Sequence, residues 1–381
     1  MRHTGFICWS TVRRAQDELM NKAKAIEIPK LLVWDAYLAV KAKRGSAGID
    51  DQSMQDFEKN LKRNLYKIWN RLSSGSYFPP PVKRVEIPKA SGGMRVLGVP
   101  TISDRIAQTV VKKYLEPLWE PLFHEDSYGY RPSKGPIDAV AVTRERCWRY
   151  SWVVEFDIRK AFDHIDHDLL LKAVRKHTPE RWLVMYIERW LKVRVEDESG
   201  EFAPSSVGVP QGGVISPLLM NLFMHYTFDS WMQREHPKHP FARFADDAVV
   251  HCNSLYHARG LLDSISRRLT ECKLSMHPDK SNVVCCRLGL KTGKGYSKKF
   301  TFLGFTFRHR IANGRNGVFT AFLPAVSNDA MKRMRMRIRR WKLHRLSHMS
   351  LPELAADVNN VLMGWWNYFG KFYASCVFRS K

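Results

Sequence analysis

The 381-residue sequence has no C-x-x-C pair; its cysteines stand apart at Cys8, Cys147, Cys252, Cys272, Cys285, Cys286 and Cys376. That spacing offers little to a structural zinc site. With an odd number of thiols and no recognisable secretory signal, the chain is expected in a reducing, cytoplasmic setting. No apolar run approaches the length of a membrane span, and Phe6 to Trp9 is too short for the apolar part of a leader, so no membrane partner is expected. Lys291 to Gly295 contains Gly293, Lys294 and Gly295 but lacks the G-x-x-x-x-G-K-[ST] spacing, which excludes a P-loop there. Acid is also scarce: 37 Asp and Glu face 62 Lys and Arg, a formal net charge of +25. An excess of that size exceeds what solubility needs and points to a polyanionic partner, most simply nucleic acid.

Against that scarcity, one stretch sets two acids side by side. Asp246 and Asp247 lie between Phe241 and Phe244 on one side and Val249 and Val250 on the other. The flanks read as strands of a hairpin whose tip is Ala245, Asp246 and Asp247. Successive residues of a regular strand face opposite sides, but a tight turn can re-aim both carboxylates. Two carboxylates brought together repel unless cations screen them, and Mg²⁺ prefers carboxylate oxygens together with substrate phosphates. Asp50 and Asp51 form another such pair, read as an ordinary turn after Gly48, so the pair at 246 needs a third carboxylate. Asp157, at the end of the apolar run Trp152 to Phe156, is suited to that part: a rigid strand holds it and its tip is open. It could equally cap the helix expected after it. Asp163, His164, Asp166, His167 and Asp168 are read as capping and solvating that helix, not as a metal cluster.

The rest of the chain alternates helical and extended segments. Helical periodicity is expected around Val12–Ile28 and Leu31–Val40, and over 52–72, where Met54, Phe57, Leu61, Leu65, Ile68 and Leu72 share a face. Further helices are expected over 103–122, 218–231, 258–272 and 354–372. A basic hairpin, Val82–Ile87 and Met94–Val99, carries Lys83, Arg84, Lys89 and Arg95. Such cations can hold a triphosphate, although a solvated hairpin would carry the same residues. The loop 127–135 gathers Tyr128, Tyr130, Arg131 and Lys134, suited to stacking and phosphate contact. Residues 207–217 pack three glycines, two prolines and Gln211 into a turn that allows close backbone approach to a ligand. Phe300, Phe302, Phe305 and Phe307 alternate along a strand pair. Finally, 331–345 carries eight Lys or Arg and no acid, with Met331, Met334, Ile338, Trp341 and Arg345 on one helical face. A one-sign run repels itself, so a phosphate-facing helix is preferred over a merely solvated one.

Taken in order, Phe156-Asp157 through Phe162-Asp163, the Pro210-Gln211-Gly212-Gly213 loop, Phe244-Ala245-Asp246-Asp247, Lys280, and Phe302-Leu303-Gly304-Phe305 resemble the motifs of a reverse transcriptase. The closest resemblance is to bacterial group II intron-encoded reverse transcriptases, or maturases. Gly45 to Asp50, Arg95 to Arg105 and Tyr128 to Pro132 support it. The match is strong over about 40–310 and weak over 325–375. It implies an α+β right hand with fingers, an antiparallel-sheet palm and a helical thumb. Residues 1–75 would be an N-terminal extension and the start of the fingers, 76–310 the fingers and palm, and 325–381 the thumb. It implies RNA-directed DNA polymerisation with two Mg²⁺ ions, Mn²⁺ being the alternative metal, held by Asp157, Asp246 and Asp247. Lys89 and Arg95 match residues that hold the triphosphate, and Phe162 matches the aromatic gate against a ribose 2′-hydroxyl. Gln211 matches a glutamine beside template and nucleotide, and Lys280 a palm-edge lysine. Arg131, Arg333, Arg337 and Arg340 would meet nucleic acid.

The implied partners are an RNA template, structured intron RNA, a DNA primer or target DNA, and dNTPs. The sequence departs from the pattern at Phe244, where the family usually has Tyr, so a hydroxyl is lost while the ring stays. The sequence ends at Lys381 without the DNA-binding and endonuclease segments many members carry, so target-DNA cleavage is not expected. A splicing cofactor that grips RNA without essential polymerase activity, and a domesticated or defence reverse transcriptase, are the alternative readings.

Overall fold

The structure is a computed structural model that describes residues 26–88, 93–196, 201–204, 206–289, 296–314 and 317–378. Lys89, most of the expected helix at 12–28, most of the turn at 91–93 and the 291–295 stretch lie outside the described residues. The strands are β1 (Lys83–Pro88), β2 (Met94–Val99), β3 (Trp152–Asp157), β4 (Arg194–Glu196), β5 (Phe202–Pro204), β6 (Phe241–Phe244), β7 (Asp247–Cys252), β8 (Asn282–Cys285), β9 (Lys299–Phe302), β10 (Phe305–Gly314) and β11 (Gly317–Val326). Helices alternate with these antiparallel pairs, so the chain is α+β. It divides into two compact units.

The first unit spans residues up to 87, then 94–121 and 167–219. The pattern expected over 52–72 becomes two helices, Met54–Lys59 and Leu61–Ser73. Ser53 caps the first by accepting from Asp56 N, and Asn60, with non-helical backbone angles, separates them. The central helix, Ile102–Trp119, buries Ile102, Ile106, Val110, Val111 and Leu115. Its Asp104 is buried and receives Tyr77 Oη at 2.8 Å, Trp190 Nε1 at 2.9 Å and Gln108 Nε2 at 2.9 Å. Burial raises this carboxyl and the three donors oppose the shift, as expected for a satisfied buried acid.

The second unit holds 88–93, 122–166 and 220–381. Its four-stranded antiparallel sheet runs β6-β7-β3-β8, and a three-stranded one runs β11-β10-β9. β3 and β7 are buried along most of their length, on both faces. Their Val153 and Val249 join Phe300, Phe302, Phe305, Phe307 and Phe322 in one buried cluster. The Phe300 and Phe307 rings stack with centroids 4.5 Å apart. The helix expected over 218–231 runs longer, as Ser216–Met224, a π-helical turn at His225–Asp229, and Ser230–Glu235. The basic helix is Asn328–Trp341 and ends there, because Lys342 takes a left-handed conformation. Arg345 therefore leaves the expected helical face and Ile338 is 40% exposed, while Ala330, Met331, Met334 and Trp341 make apolar contacts, Trp341 by stacking on Trp365.

Candidate active site

The acidic pair sits where the hairpin reading put it. β6 and β7 pair with Phe244 opposite Asp247, leaving Ala245 and Asp246 as a two-residue turn. Ala245 has φ 58°, a left-handed conformation that an L-residue with a Cβ adopts at a penalty of roughly 1–2 kcal/mol. Two contacts hold it there. Arg243 Nη1 donates to Ala245 O at 2.8 Å. Gly129 also packs so closely that a Cβ on it would come 2.5 Å from Ala245 N, which accounts for a glycine at that position.

Asp157 ends β3 directly opposite Asp247 in the antiparallel register. Directly opposed residues in such a pair have Cα atoms about 4.5–5.5 Å apart, close enough for both carboxylates to share cations. The N-cap alternative for Asp157 does not apply: Ala161–His164 is a short 3-10 turn, and the α-helix starts at His167. The Asp247 carboxyl is pushed well above the usual range, first by burial and then by repulsion from Asp246, Glu155 and Asp157. The Leu303 backbone N–H donates to it and opposes the shift.

Two neighbours complete the cluster. Lys280 Nζ lies 2.6 Å from Asp157 Oδ2. Its 3-10 turn is moored beside β3 by His277 N donating to Asp157 O at 2.8 Å. Glu155 was not among the predicted residues; its signal was the two-residue spacing from Asp157, which puts both on one face of a strand. Burial raises the Glu155 carboxyl to about 7, against a hydrogen bond from Thr301 N at 3.0 Å.

Among the described residues no three His, Cys, Asp or Glu side chains form a ready-made metal cage. The donor set nonetheless fits Mg²⁺, which takes one or two carboxylates and completes its shell with water and substrate phosphates. Burial and the neighbouring carboxylates disfavour the charged form of Asp247, a condition that a divalent cation relieves. Asp163, Asp166 and Asp168 join no such group, and Asp166 instead pairs with Lys273 at 2.6 Å.

Arg243, unremarked in the sequence, underpins the turn. It is fully buried with Asp229, the pair meeting through Nε–Oδ1 at 2.7 Å and Nη2–Oδ2 at 2.6 Å. Its remaining donors reach Ser127 Oγ at 2.8 Å and Asn221 Oδ1 at 3.3 Å. The loop expected to stand open for stacking instead lies along β6: Tyr128 N donates to Arg243 O, and Arg243 N to Asp126 O. Tyr128 is buried, and Arg131 directs Nη1 to the carbonyls of His124 and Ser127. Tyr130 is the exposed ring, 5.9 Å from Phe244. The backbone hydrogen bonds that β6 offers at its edge draw this segment inward.

Phe162, on the 3-10 turn after Asp157, is half-buried. Arg333, Arg337 and Arg340 are exposed on the Asn328–Trp341 helix. In the first unit, Arg95 is exposed on β2, and the Gln211 loop is stitched to that strand by Gly98 N donating to Gln211 O at 2.7 Å. Gly212, at φ 118°, leaves no room for a Cβ, which would meet Gly98 O at 2.5 Å.

Residues 87–307 match the family described as reverse transcriptase (RNA-dependent DNA polymerase), and residues 331–380 match the maturase-specific domain of group II introns. Protein YkfC of Escherichia coli K12 is 34% identical over 219 residues, covering 56% of this chain and 57% of that protein. The group II intron-encoded protein LtrA of Lactococcus lactis subsp. cremoris is 31% identical over 212 residues, 55% of this chain and 35% of that protein. The chain thus spans only part of the length of these relatives. Apo telomerase from Candida tropicalis superposes with a TM-score of 0.47 at 14% identity, covering 60% of this chain and 46% of that one, a likeness too weak to add to the assignment. With more than half of its length matched and its paired carboxylates at the tip of an antiparallel hairpin, the chain belongs to the reverse transcriptase family and has its α+β right-hand fold, with a group II intron maturase-specific domain after it.

Proposed function

We propose that this chain extends a primer 3′-hydroxyl with dNTPs on an RNA template, in association with a group II intron. The observation that carries the reading is Asp157 set opposite Asp247, whose carboxyl is crowded by the charges of Asp246, Glu155 and Asp157. Asp157, Asp246 and Asp247 would hold two Mg²⁺ ions, or Mn²⁺, whose chemistry is to stabilise the attacking and leaving oxygens of an in-line displacement at the α-phosphate. Lys280, already beside Asp157, would turn its ammonium to the incoming phosphates once cations occupy the carboxylates. The buried Arg243 network and Leu303 N–H hold the turn in place, so the reacting groups need no rearrangement of the backbone. Phe162 would exclude a ribose 2′-hydroxyl, Gln211 would sit beside template and nucleotide, and Lys89 and Arg95 would hold the triphosphate. In this reading 76–310 are fingers and palm, 325–381 the thumb, and 1–75 the extension leading into the fingers; the setting is cytoplasmic.

The maturase-specific match at 331–380 favours a second role, gripping structured intron RNA to assist splicing. Asp246→Asn tests the first role, since it removes a ligand charge at nearly constant size. Mg²⁺-dependent dNTP incorporation on a primed RNA template is expected to fall by at least 100-fold. Near-normal extension by this variant removes Asp246 from the metal site and the reading with it.

A further inference from the structure

Tyr130 holds a backbone conformation that its side chain resists. Its φ is 57°, in the left-handed region where a bulky residue is an outlier. Such strain persists only where the surroundings over-determine it, and here they do. Asn221, fully buried on the Ser216–Met224 helix, donates Nδ2 to Gly129 O at 2.7 Å. On the other side Arg131 is fixed by Ser127 O at 2.8 Å and His124 O at 2.6 Å. Gly129 itself abuts Ala245, the other left-handed residue of this corner, at φ 58°. What this lock presents is the Tyr130 ring. It is 54% exposed, whereas Tyr128 is buried with its hydroxyl on Asp126 Oδ1 at 3.2 Å. A ring that strain and buried hydrogen bonds hold in solvent does little for the core. Its centroid is 5.9 Å from that of Phe244, with the planes 47° apart, so the two rings form one aromatic shelf.

The shelf has a fixed place relative to the carboxylates. The order β6-β7-β3-β8 sets Asp157 on β3, Asp247 beside it on β7, and Phe244 beside Asp247 on β6. The loop runs parallel along the outer edge of β6, with Ser127 beside Arg243 and Gly129 against Ala245, which brings Tyr130 level with the hairpin tip. Neighbouring strands lie about 4.8 Å apart, so Tyr130 is about two spacings, roughly 10 Å, from the strand of Asp247, on the side away from Asp157. In the polymerase reading, a primer sugar whose 3′-hydroxyl meets the carboxylates sits over β3 and β7. Both sugars of a base pair lie on its minor-groove side, so the partner sugar on the template comes down over β6 and its edge. In RNA that sugar carries a 2′-hydroxyl, both donor and acceptor, displayed in the wide and shallow minor groove of an A-form duplex. A phenol is likewise donor and acceptor, on a ring that can lie against the sugar.

We propose that Tyr130 reads the template strand: its ring, continuous with Phe244, lies against the minor-groove edge at the primer terminus, and its hydroxyl bonds the 2′-hydroxyl of a paired template ribose. The residue thereby favours RNA over DNA as template. This rests on the polymerase reading above. It is distinct from the part proposed for Phe162, which concerns the sugar of the incoming nucleotide.

The test is a cycle between Tyr130→Phe in the full chain and RNA templates carrying one 2′-deoxyribose at each of the first three paired positions in turn. Primer extension is read at subsaturating dNTP, with hybrid binding measured in parallel. At one of these positions the deoxy substitution should slow the wild type about 5-fold, the size of one hydrogen bond, and the variant by less than about 2-fold, because both changes remove the same interaction. On the all-RNA template the variant should be about 5-fold slower than the wild type, and on a DNA template of the same sequence the two should agree within about 2-fold. The unfolding midpoint should not move, since the ring and its contact with Phe244 are kept. Should Tyr130→Phe fail to fold, Tyr130→Gly, which suits the left-handed backbone, is carried through the same cycle. Equal sensitivity of both proteins at all three positions overturns the assignment of Tyr130, as does a loss in the variant that is the same on RNA and DNA templates. A wild type that extends without the coupling defeats the assignment alone. One that binds the hybrid but does not extend it defeats the polymerase reading; the coupling is then judged in binding, where its absence defeats the assignment as well. One that binds no hybrid defeats both.

Discussion

His251 lies in β7 with both ring nitrogens buried and, among the described residues, without a hydrogen-bond partner. Burial, helped by the Arg146 charge, lowers its pKa to about 3, from an ordinary 6.5. In the unfolded chain the ring takes a proton near its ordinary pKa, whereas the folded ring does not until near 3. Between those limits the unfolded state binds more protons, so stability is full above about 6.5 and is lost as pH falls, at up to about 1.4 kcal/mol per pH unit. His251→Leu is therefore expected to flatten the acid limb: its unfolding midpoint at pH 5, relative to pH 8, should be higher than that of the wild type. An unaltered difference between the two pH values would place the acid sensitivity elsewhere. At the candidate active site the same physics runs the other way: the Asp247 carboxyl, crowded in a half-buried turn, is held up, and cations would bring it back down.

At the scale of elements, the hairpin and the basic helix make different demands. The hairpin tip depends on one buried ion pair. Breaking such a pair from one side typically costs about 3–5 kcal/mol, whereas replacing both partners by apolar residues can be close to neutral. Arg243→Met should destabilise by about that much, and adding Asp229→Leu should recover part of it, as read by denaturant unfolding. Extension should stay low in the double variant even where stability returns, because Ala245 O then has no Arg243 donor. Recovery of activity in step with stability would make Arg243 a packing residue only. The helix Asn328–Trp341 is anchored by Met334 and Trp341 and presents its cations outward. Changing Arg333, Arg337 and Arg340 to Gln keeps helix propensity and removes three charges. Template–primer binding should weaken, its salt slope become shallower, and products shorten, with little change in sequence preference. A folded variant with the wild-type slope would mean that these side chains only face solvent.

For the whole molecule, the charge of +25 predicts that polyanion binding and synthesis are separable. Asp246→Asn should retain affinity for structured RNA within about 2-fold while losing extension, since the turn supplies none of the cations that neutralise phosphates. A filter-binding titration against a structured group II intron RNA and a primer-extension assay on the same preparations check this. Loss of both together would tie RNA binding to the carboxylates of the turn.

How much of this was legible in the sequence follows from the range of the forces involved. Local periodicity placed β3, the 241–252 hairpin, the Phe-alternating strands and most helices, because the pattern of apolar residues is written along the chain. Motif order identified the family and proposed Asp157, Asp246 and Asp247 as a set. Helix ends were less legible: nothing in 331–345 announced the left-handed Lys342 that stops the helix, nor Asn60 the break before Leu61. The partners of the site were not legible at all. Arg243 with Asp229, Gly129 against Ala245 and Glu155 with Thr301 are joined across 14 residues or, for the last two, by pairings between segments far apart in the chain. The sequence by itself determined which groups could do the chemistry, since charge and ligand type belong to single residues. Only the tertiary structure decided which of them share a low-dielectric space, because burial and cross-strand register are set by the packing of segments far apart in the chain.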